Sequence, residues 1–233
     1  MRINIEGEKV IGKFQKRVNR FIAEVIVDGK LVITHVPNTG RMKELLLPGA
    51  KVILRKVDNP LRKTSYDLLF AYKGDLLVAL DSKLPNTILE KYFKEGLMSQ
   101  FSGYNQVKRE VTFGKSKFDF SLNTLGGNHA LVEAKCVTLV KENGLATFPD
   151  APTDRGRKHV LELIDAVREG IRGAVFFIVQ REDGKEFTPN FDMDEKFYQA
   201  VVMAKEKGVE FYAFNCLVNQ DFISLKEELT VII

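Results

Sequence analysis

Cysteine and long apolar segments are scarce in this 233-residue sequence. Cys136 and Cys216 stand far apart without C-x-x-C spacing, which indicates neither a disulfide framework nor a cysteine-based zinc site. No stretch approaches the ~20 apolar residues that a membrane-spanning helix needs. The N-terminal residues MRINIEGEKV lack the apolar core and the cleavage site of a signal peptide. We therefore expect a folded cytoplasmic protein with no membrane partner.

The formal net charge of +4 is unevenly distributed along the chain. Residues 1–81 contain 15 Lys and Arg against 9 Asp and Glu, whereas residues 82–233 contain 20 against 22. Because a basic surface attracts polyanions, this asymmetry predicts a nucleic-acid-binding module over residues 1–81. Residues 82–233 are then predicted to form a second domain with another task.

The first third of the chain predicts short strands. Asp28-Gly29 separates two alternating apolar segments and is a strong hairpin signal, because both central residues of a type I′ turn need positive φ. The predicted strands cover residues 21–27, 31–36, 51–57, 66–72 and 76–81. Five short strands in about 80 residues favour a small closed barrel of the OB type, a fold that commonly binds nucleic acid.

The rest of the chain alternates between helical and strand patterns. Asn86 is predicted to cap a helix over residues 87–95, and Ala174–Val179 is a wholly apolar run typical of a strand covered on both faces. Further strands are predicted at 106–113, 117–122, 130–139 and 209–214, with helices at 153–170 and 194–208. This order predicts an α/β domain with a mixed sheet.

The residues with the clearest chemistry lie between Lys117 and Lys135. Strand alternation places Asp119 on the polar face of one predicted strand, and Glu133 and Lys135 on the polar face of the next. The intervening Gly126-Gly127 predicts a hairpin turn, which sets Asp119 across from Glu133 or from Lys135.

Two carboxylates and a lysine on one sheet face suit a magnesium site. Mg²⁺ prefers oxygen ligands, so Asp119, Glu133 and the main-chain carbonyl of Ala134 are the predicted ligands of Mg²⁺, or of Mn²⁺ in its place. Such a metal acidifies a water and stabilises charge on a phosphoryl oxygen, while Lys135 would hold the attacking water or neutralise that charge. Asp119, Glu133 and Lys135 are therefore the predicted catalytic residues. A cross-strand ion pair on a solvated sheet face explains the same pattern, and both interpretations remain open.

The order of these elements resembles the PD-(D/E)xK nuclease core, with Phe118-Asp119 in place of Pro-Asp and Glu133-Ala134-Lys135 as E-x-K. The whole chain resembles the sugar fermentation stimulation protein (SfsA) family. The matching stretches are His35-Val36-Pro37-Asn38-Thr39-Gly40, Asp58-Asn59-Pro60, Leu84-Pro85-Asn86, Phe118-Asp119-Phe120, Val132-Glu133-Ala134-Lys135 and Phe148-Pro149-Asp150-Ala151-Pro152-Thr153-Asp154-Arg155-Gly156. They span residues from about 35 to 160, and their combination is specific.

The resemblance implies an N-terminal OB-like domain, a nuclease-like C-terminal domain and DNA binding linked to sugar (maltose) metabolism. Three functions fit it. The first is a DNA-binding protein with a Mg²⁺-dependent nuclease site, and the second is a DNA-binding regulator that keeps the nuclease fold without cutting. A hydrolase of a small phosphorylated substrate would use the same ligands but would leave the basic barrel unexplained. Neither the strandedness of the DNA nor the oligomeric state follows from the sequence.

Basic and small polar residues in three segments are predicted to contact nucleic acid. In KFQKRVNRF, basic residues interleave with two phenylalanines, which suits phosphate pairing and base stacking, although a solvated face over a barrel core is the ordinary alternative. The segment HVPNTGR suits a loop that donates backbone N–H groups to phosphate. Arg155 and His159 stand four apart on a predicted helix and share a face. The predicted nucleic-acid-binding residues are Lys13, Lys16, Arg17, Arg20, His35, Asn38, Thr39, Arg41, Arg155 and His159.

Overall fold

The computed structural model describes residues 1–233, which form fifteen strands and three helices. The strands are β1 (Ile3–Asn4), β2 (Lys9–Arg17), β3 (Ile22–Val27), β4 (Lys30–His35), β5 (Lys51–Lys56), β6 (Tyr66–Lys73), β7 (Leu76–Ala79), β8 (Gln106–Phe113), β9 (Ser116–Asn123), β10 (His129–Val137), β11 (Leu145–Phe148), β12 (Arg172–Val179), β13 (Glu186–Pro189), β14 (Glu210–Val218) and β15 (Phe222–Val231). The helices are α1 (Leu84–Lys94), α2 (Asp154–Arg168) and α3 (Glu195–Glu206).

Strands β2 to β6 close into a barrel. They pair in the order β4-β3-β2-β5-β6, and the ring closes where β4 meets β6, with Thr34 opposite Tyr66. Strand β7 extends β6 as a hairpin. Alternation along β3 buries Ala23, Val25 and Val27, and the same rule turns Phe14 of β2 into the barrel core. The OB-like barrel is therefore confirmed, and the KFQKR segment is one of its strands.

A mixed sheet of nine strands forms the second half of the molecule. Eight of the strands lie in the order β11-β13-β15-β14-β12-β10-β9-β8, and the ninth, β1, pairs with β15. Strands β10, β12 and β14 are parallel to one another, whereas β8, β9 and β10 are antiparallel. Residues of β12 alternate between two cores: Phe176 packs with α1, while Phe177 packs with α2 and α3. A strand covered on both faces reads as a continuous apolar run, which is why AVFFIV predicted it correctly. The α/β domain with a mixed sheet is confirmed.

Other elements differ from the sequence-based expectations. Strands β11, β13 and β15 were not expected from the hydrophobic pattern, because β11 and β13 are only four residues long and β15 carries several polar residues. Helix α1 begins at Leu84 with Pro85 in its first turn, so Asn86 lies inside the helix and does not cap it. Strand β1 pairs with β15, so the chain enters the second sheet before it forms the barrel. No helix is long and apolar enough to cross a bilayer.

Candidate active site

The β9–β10 hairpin brings the two predicted metal-binding carboxylates together. Leu122 pairs with Ala130 and Phe120 with Val132, and one further step of this register places Asp119 opposite Glu133. At that point the ladder is continued by a side chain, because Oδ2 of Asp119 accepts a hydrogen bond from the Ala134 amide at 2.8 Å. The observed register is one of the two that the Gly126-Gly127 turn left open.

The carboxylate of Glu133 is held from one side only. Its Oε1 atom accepts hydrogen bonds from Nζ of Lys135 and from Nδ1 of His159, each at 2.5 Å. Its Oε2 atom is buried and has no hydrogen-bond partner, although Glu133 as a whole is 3% exposed. A buried carboxylate oxygen without a donor is costly, and a bound cation would satisfy this one.

The pKa values of Asp119 and Glu133 are shifted in opposite directions. Burial, with the neighbouring charge of Glu133 adding to it, raises the pKa of Asp119. Burial alone would also raise the pKa of Glu133, but Lys135 and the His159 hydrogen bond hold the pKa of that carboxyl below its ordinary value. Two carboxylates crowded into a buried site repel each other, and a divalent cation between them would relieve the repulsion.

The donor set fits a hard divalent cation. Besides Oε2 of Glu133, the site offers the carboxylate of Asp119, which is oriented by Nδ2 of Asn86 at 2.6 Å and by the Ala134 amide. The N–H and C=O groups of one strand residue point towards the same neighbouring strand, so the carbonyl of Ala134 also faces the Asp119 side. No cluster of three or more His, Cys, Asp or Glu side chains surrounds this point. An all-oxygen site completed by water is the arrangement that Mg²⁺ prefers.

Asn86 was missed as a site residue by sequence reasoning. Its position at the start of a helical pattern favoured a capping role, but Pro85 moves the helix start earlier and turns the amide towards β9. The only sequence signal was its place in the segment Leu84-Pro85-Asn86.

A large cleft opens above these residues, between the barrel and the α/β domain. Its volume is about 1090 Å³, and both halves of the chain line it. Asp119, Glu133 and Lys135 lie on the inner surface, which we call the floor. Six of the predicted nucleic-acid-binding residues also line the cleft: Arg17, Arg20, Asn38, Thr39, Arg41 and Arg155.

Comparisons with known proteins agree with this architecture. The family model for the SfsA N-terminal OB domain matches residues 16–80, and the model for the sugar fermentation stimulation protein RE domain matches residues 83–222. This chain belongs to the sugar fermentation stimulation protein (SfsA) family. The SfsA homologue of Alkaliphilus metalliredigens is 60% identical over 99% of this chain and 100% of its own. The homologue of Clostridium tetani is 48% identical, over 95% of this chain and 96% of its own.

A solved SfsA structure is also similar along the whole length. The SfsA of Pyrococcus furiosus, determined in complex with Ca²⁺, is 29% identical and superposes with a TM-score of 0.91. The superposition covers 100% of both chains. The barrel and the α/β domain therefore share one arrangement in the two SfsA proteins.

Arg17 lines the cleft of this SfsA-family chain without being free to bind phosphate. Its guanidinium has five N–H groups, and all five are used by backbone carbonyls of neighbouring loops. The acceptors are the carbonyl oxygens of Asn19, Arg20, Asn38, Gly40 and Arg41. Burial lowers the pKa of Arg17 from its ordinary value. Arg17 thus holds the β2–β3 turn and the loop after β4 together.

Two predicted histidine contacts lie elsewhere. Nδ1 of His35 lies 3.0 Å from Asp67, a buried carboxylate that also accepts hydrogen bonds from Arg55 at 2.7 Å and Arg62 at 2.6 Å. Burial opposes ionisation of Asp67, but these hydrogen bonds outweigh it and hold the pKa well below the usual range. His159 is 3% exposed and lies behind Glu133, so it cannot reach a nucleic acid directly.

The remaining basic predictions lie on the outer surface of the barrel. Lys13 and Lys16 are exposed on β2 and do not line the cleft. Lys16 forms an ion pair with Glu24 across the strands at 3.4 Å. Neither lysine lies with the residues that face the active site.

The loop after β4 is anchored to the α/β domain. Nδ2 of Asn38 donates to the Leu80 carbonyl at 2.8 Å and lies 3.6 Å from Sγ of Cys136, the residue after Lys135. The Met42 amide donates to Oδ2 of Asp150 at 3.0 Å. The barrel therefore forms a fixed wall directly beside the reactive groups.

Proposed function

We propose that this SfsA-family protein is a metal-dependent nuclease that holds DNA in the cleft between its barrel and its α/β domain. The observation that carries the proposal is the buried Oε2 atom of Glu133, which has no partner and lies beside Asp119 on the floor of a basic cleft. Glu133 differs from a solvated cross-strand ion pair because its side chain is only 4% exposed and lies beside a second carboxylate, that of Asp119. The geometry therefore favours a metal site over the ordinary ion pair.

Asp119, Glu133 and the carbonyl of Ala134 are the proposed ligands of Mg²⁺ or Mn²⁺. When bound, such an ion acidifies a water and stabilises charge on a phosphoryl oxygen. The Pyrococcus furiosus SfsA was determined in complex with Ca²⁺, a hard cation that takes oxygen ligands, which is compatible with a divalent-cation site in this chain. Asn86 and the Ala134 amide keep the Asp119 carboxylate oriented.

Lys135 is the proposed partner of the attacking water and of the phosphate. Its ammonium group is tethered to Glu133 and only 11% of its side chain is exposed, so its position is well defined. Lys135 lines the cleft, where an ammonium group can orient a water or neutralise charge that develops on the phosphate. His159 acts from behind, through Oε1 of Glu133.

The charge of the cleft walls suits a polyanion. Arg20, Arg41, Lys43 and Arg155 all line the cleft, are exposed and form no ion pair with a carboxylate. Basic side chains without acidic partners are free to neutralise phosphates. This arrangement supports nucleic acid, with several phosphates, over a small phosphorylated substrate.

The test is cleavage of labelled DNA by the purified protein with Mg²⁺, Mn²⁺ or EDTA. We expect metal-dependent cleavage that Asp119→Asn and Lys135→Met each reduce by at least about 100-fold. Glu110→Gln is the matched control, because Glu110 is an exposed carboxylate of β8 that pairs only with Lys117. Cleavage that survives Asp119→Asn would contradict the assigned ligand.

The alternative is a DNA-binding regulator of sugar metabolism that does not cut, and the name sugar fermentation stimulation protein, which the relatives bear, is compatible with it. The same reactions separate the two functions. Binding of DNA without cleavage in any of the metals would support the regulator and exclude the nuclease.

A further inference from the structure

The walls of the cleft carry apolar side chains among the basic ones. Leu47, in the loop between β4 and β5, lines the cleft and is 56% exposed. Phe148, Pro149 and Pro152 line it from the α/β domain. An exposed leucine is ordinary on a protein surface, but Leu47 lies in the concave site itself, which the exposed Pro152 also lines.

A double helix offers little to such a surface. Its bases are already paired and stacked, so a duplex presents mainly sugars and phosphates, which are read by basic and polar groups. An unpaired strand exposes the faces of its bases, and apolar or aromatic side chains bury those faces while basic side chains follow the backbone. The mixture of Leu47 with Arg41 and Lys43 on one wall matches the second case.

The depth of the cleft and the contacts between its walls also favour an unpaired strand over a duplex. Glu133 is 3% exposed, so the scissile phosphate must reach the floor of the cleft. The walls are tied by the Met42–Asp150 hydrogen bond, and the domains are tied again where Nε2 of Gln180 donates to the Ala79 carbonyl at 2.7 Å. Both ties oppose widening of the cleft, and a single strand is narrower than a duplex.

We propose that the cleft takes an unpaired polynucleotide strand, with its bases against the apolar residues and its phosphates along the basic ones. This inference rests on the proposed nuclease function, which assigns phosphate cleavage to the floor of the cleft. It adds that the walls of the cleft bind single-stranded rather than double-stranded nucleic acid. Single OB folds hold about 4 to 16 nucleotides of single strand, so a strand of that length can cross the barrel and the floor together.

The test measures binding by fluorescence anisotropy in EDTA, with the full-length protein and labelled strands of about 16 nucleotides. The arms are single-stranded DNA, single-stranded RNA of the same sequence, and the blunt DNA duplex. We expect at least one single strand to bind about tenfold more tightly than the duplex. Leu47→Ser should weaken single-strand binding about tenfold, the loss of one stacked base, and leave duplex binding unchanged.

Leu31→Ser is the matched control, because Leu31 is 59% exposed on the barrel but lies outside the cleft. Duplex binding as tight as single-strand binding would overturn the inference, as would a Leu47→Ser variant that behaves like Leu31→Ser. The difference between the DNA and RNA arms identifies the source of the strand.

Failure of this inference is distinguishable from failure of the proposed nuclease. Tight single-strand binding without cleavage in Mg²⁺ or Mn²⁺ would exclude the nuclease and leave the inference standing. Metal-dependent cleavage, together with equal affinity for the single strand and the duplex, would support the nuclease and exclude the inference.

Discussion

Replacing Arg17 tests whether this arginine organises the cleft or binds substrate. Arg17→Ala removes five hydrogen bonds to loop carbonyls. Each intramolecular hydrogen bond contributes about 0.5–1.5 kcal/mol net, and several of these carbonyls are exposed enough to be rehydrated. We therefore expect the free energy of unfolding to fall by about 3 kcal/mol, near the lower half of the summed range.

Urea unfolding at neutral pH measures this loss. Arg20→Ala is the control, because Arg20 lines the same cleft and its side chain makes no hydrogen bond within the protein. The control should change the free energy of unfolding by less than about 0.5 kcal/mol. It should also reduce the salt dependence of DNA binding by a slope of about 0.7–0.9, the value of one phosphate contact. An Arg17→Ala variant as stable as wild type would refute the organising role.

Three further perturbations have expected outcomes. The lowered pKa of Asp67 stabilises the folded protein above the ordinary aspartate pKa of about 3.9, and this stabilisation is lost as the pH falls below that value. The free energy of unfolding, measured with urea, should therefore fall less steeply with acid in Asp67→Asn than in the wild type. Gly40→Ala would place a Cβ atom 2.7 Å from Oδ2 of Asp150, and we expect a loss of about 2 kcal/mol in urea unfolding. Gly126→Ala should be neutral, because its Cβ atom would meet only Oγ1 of Thr124, at an ordinary contact distance of 3.8 Å. His159→Ala should weaken Mn²⁺ binding about tenfold by calorimetry, and His159→Asn, which keeps a donor, should restore most of it. Equal Mn²⁺ affinities for the two variants would show that the donor is irrelevant.

The position of Asp119 opposite Glu133 was partly predictable because it depends on a local turn. The Gly-Gly turn, which lies within about ten residues of both carboxylates, sets which residue of β10 lies opposite Asp119. Strict alternation does not hold through Asp119, because Phe118 and Phe120 pack into different cores. The unpaired Oε2 atom of Glu133 was not predictable, because it depends on which donors the rest of the molecule supplies.

The walls of the cleft were harder to predict because they depend on tertiary contacts. Arg155 and His159 share a helix face, as their spacing indicates, but one turn of α2 lies in the cleft and the next is buried against Phe118. Arg17 looks like any other basic residue until the loop carbonyls converge on it. Residue type and spacing therefore located the basic surface without showing which charges are free.

The pairing of β1 with β15 has a consequence for how the chain is made. The barrel strands pair only among residues 9–79, so the barrel can close while the α/β domain is still being synthesised. Ile3 and Asn4 cannot pair with β15 until Phe222 and Ile223 have been translated. We expect ribosome-bound chains that stop before β15 to carry a protected barrel and a protease-sensitive first segment. The first strand to be synthesised is then among the last to be secured.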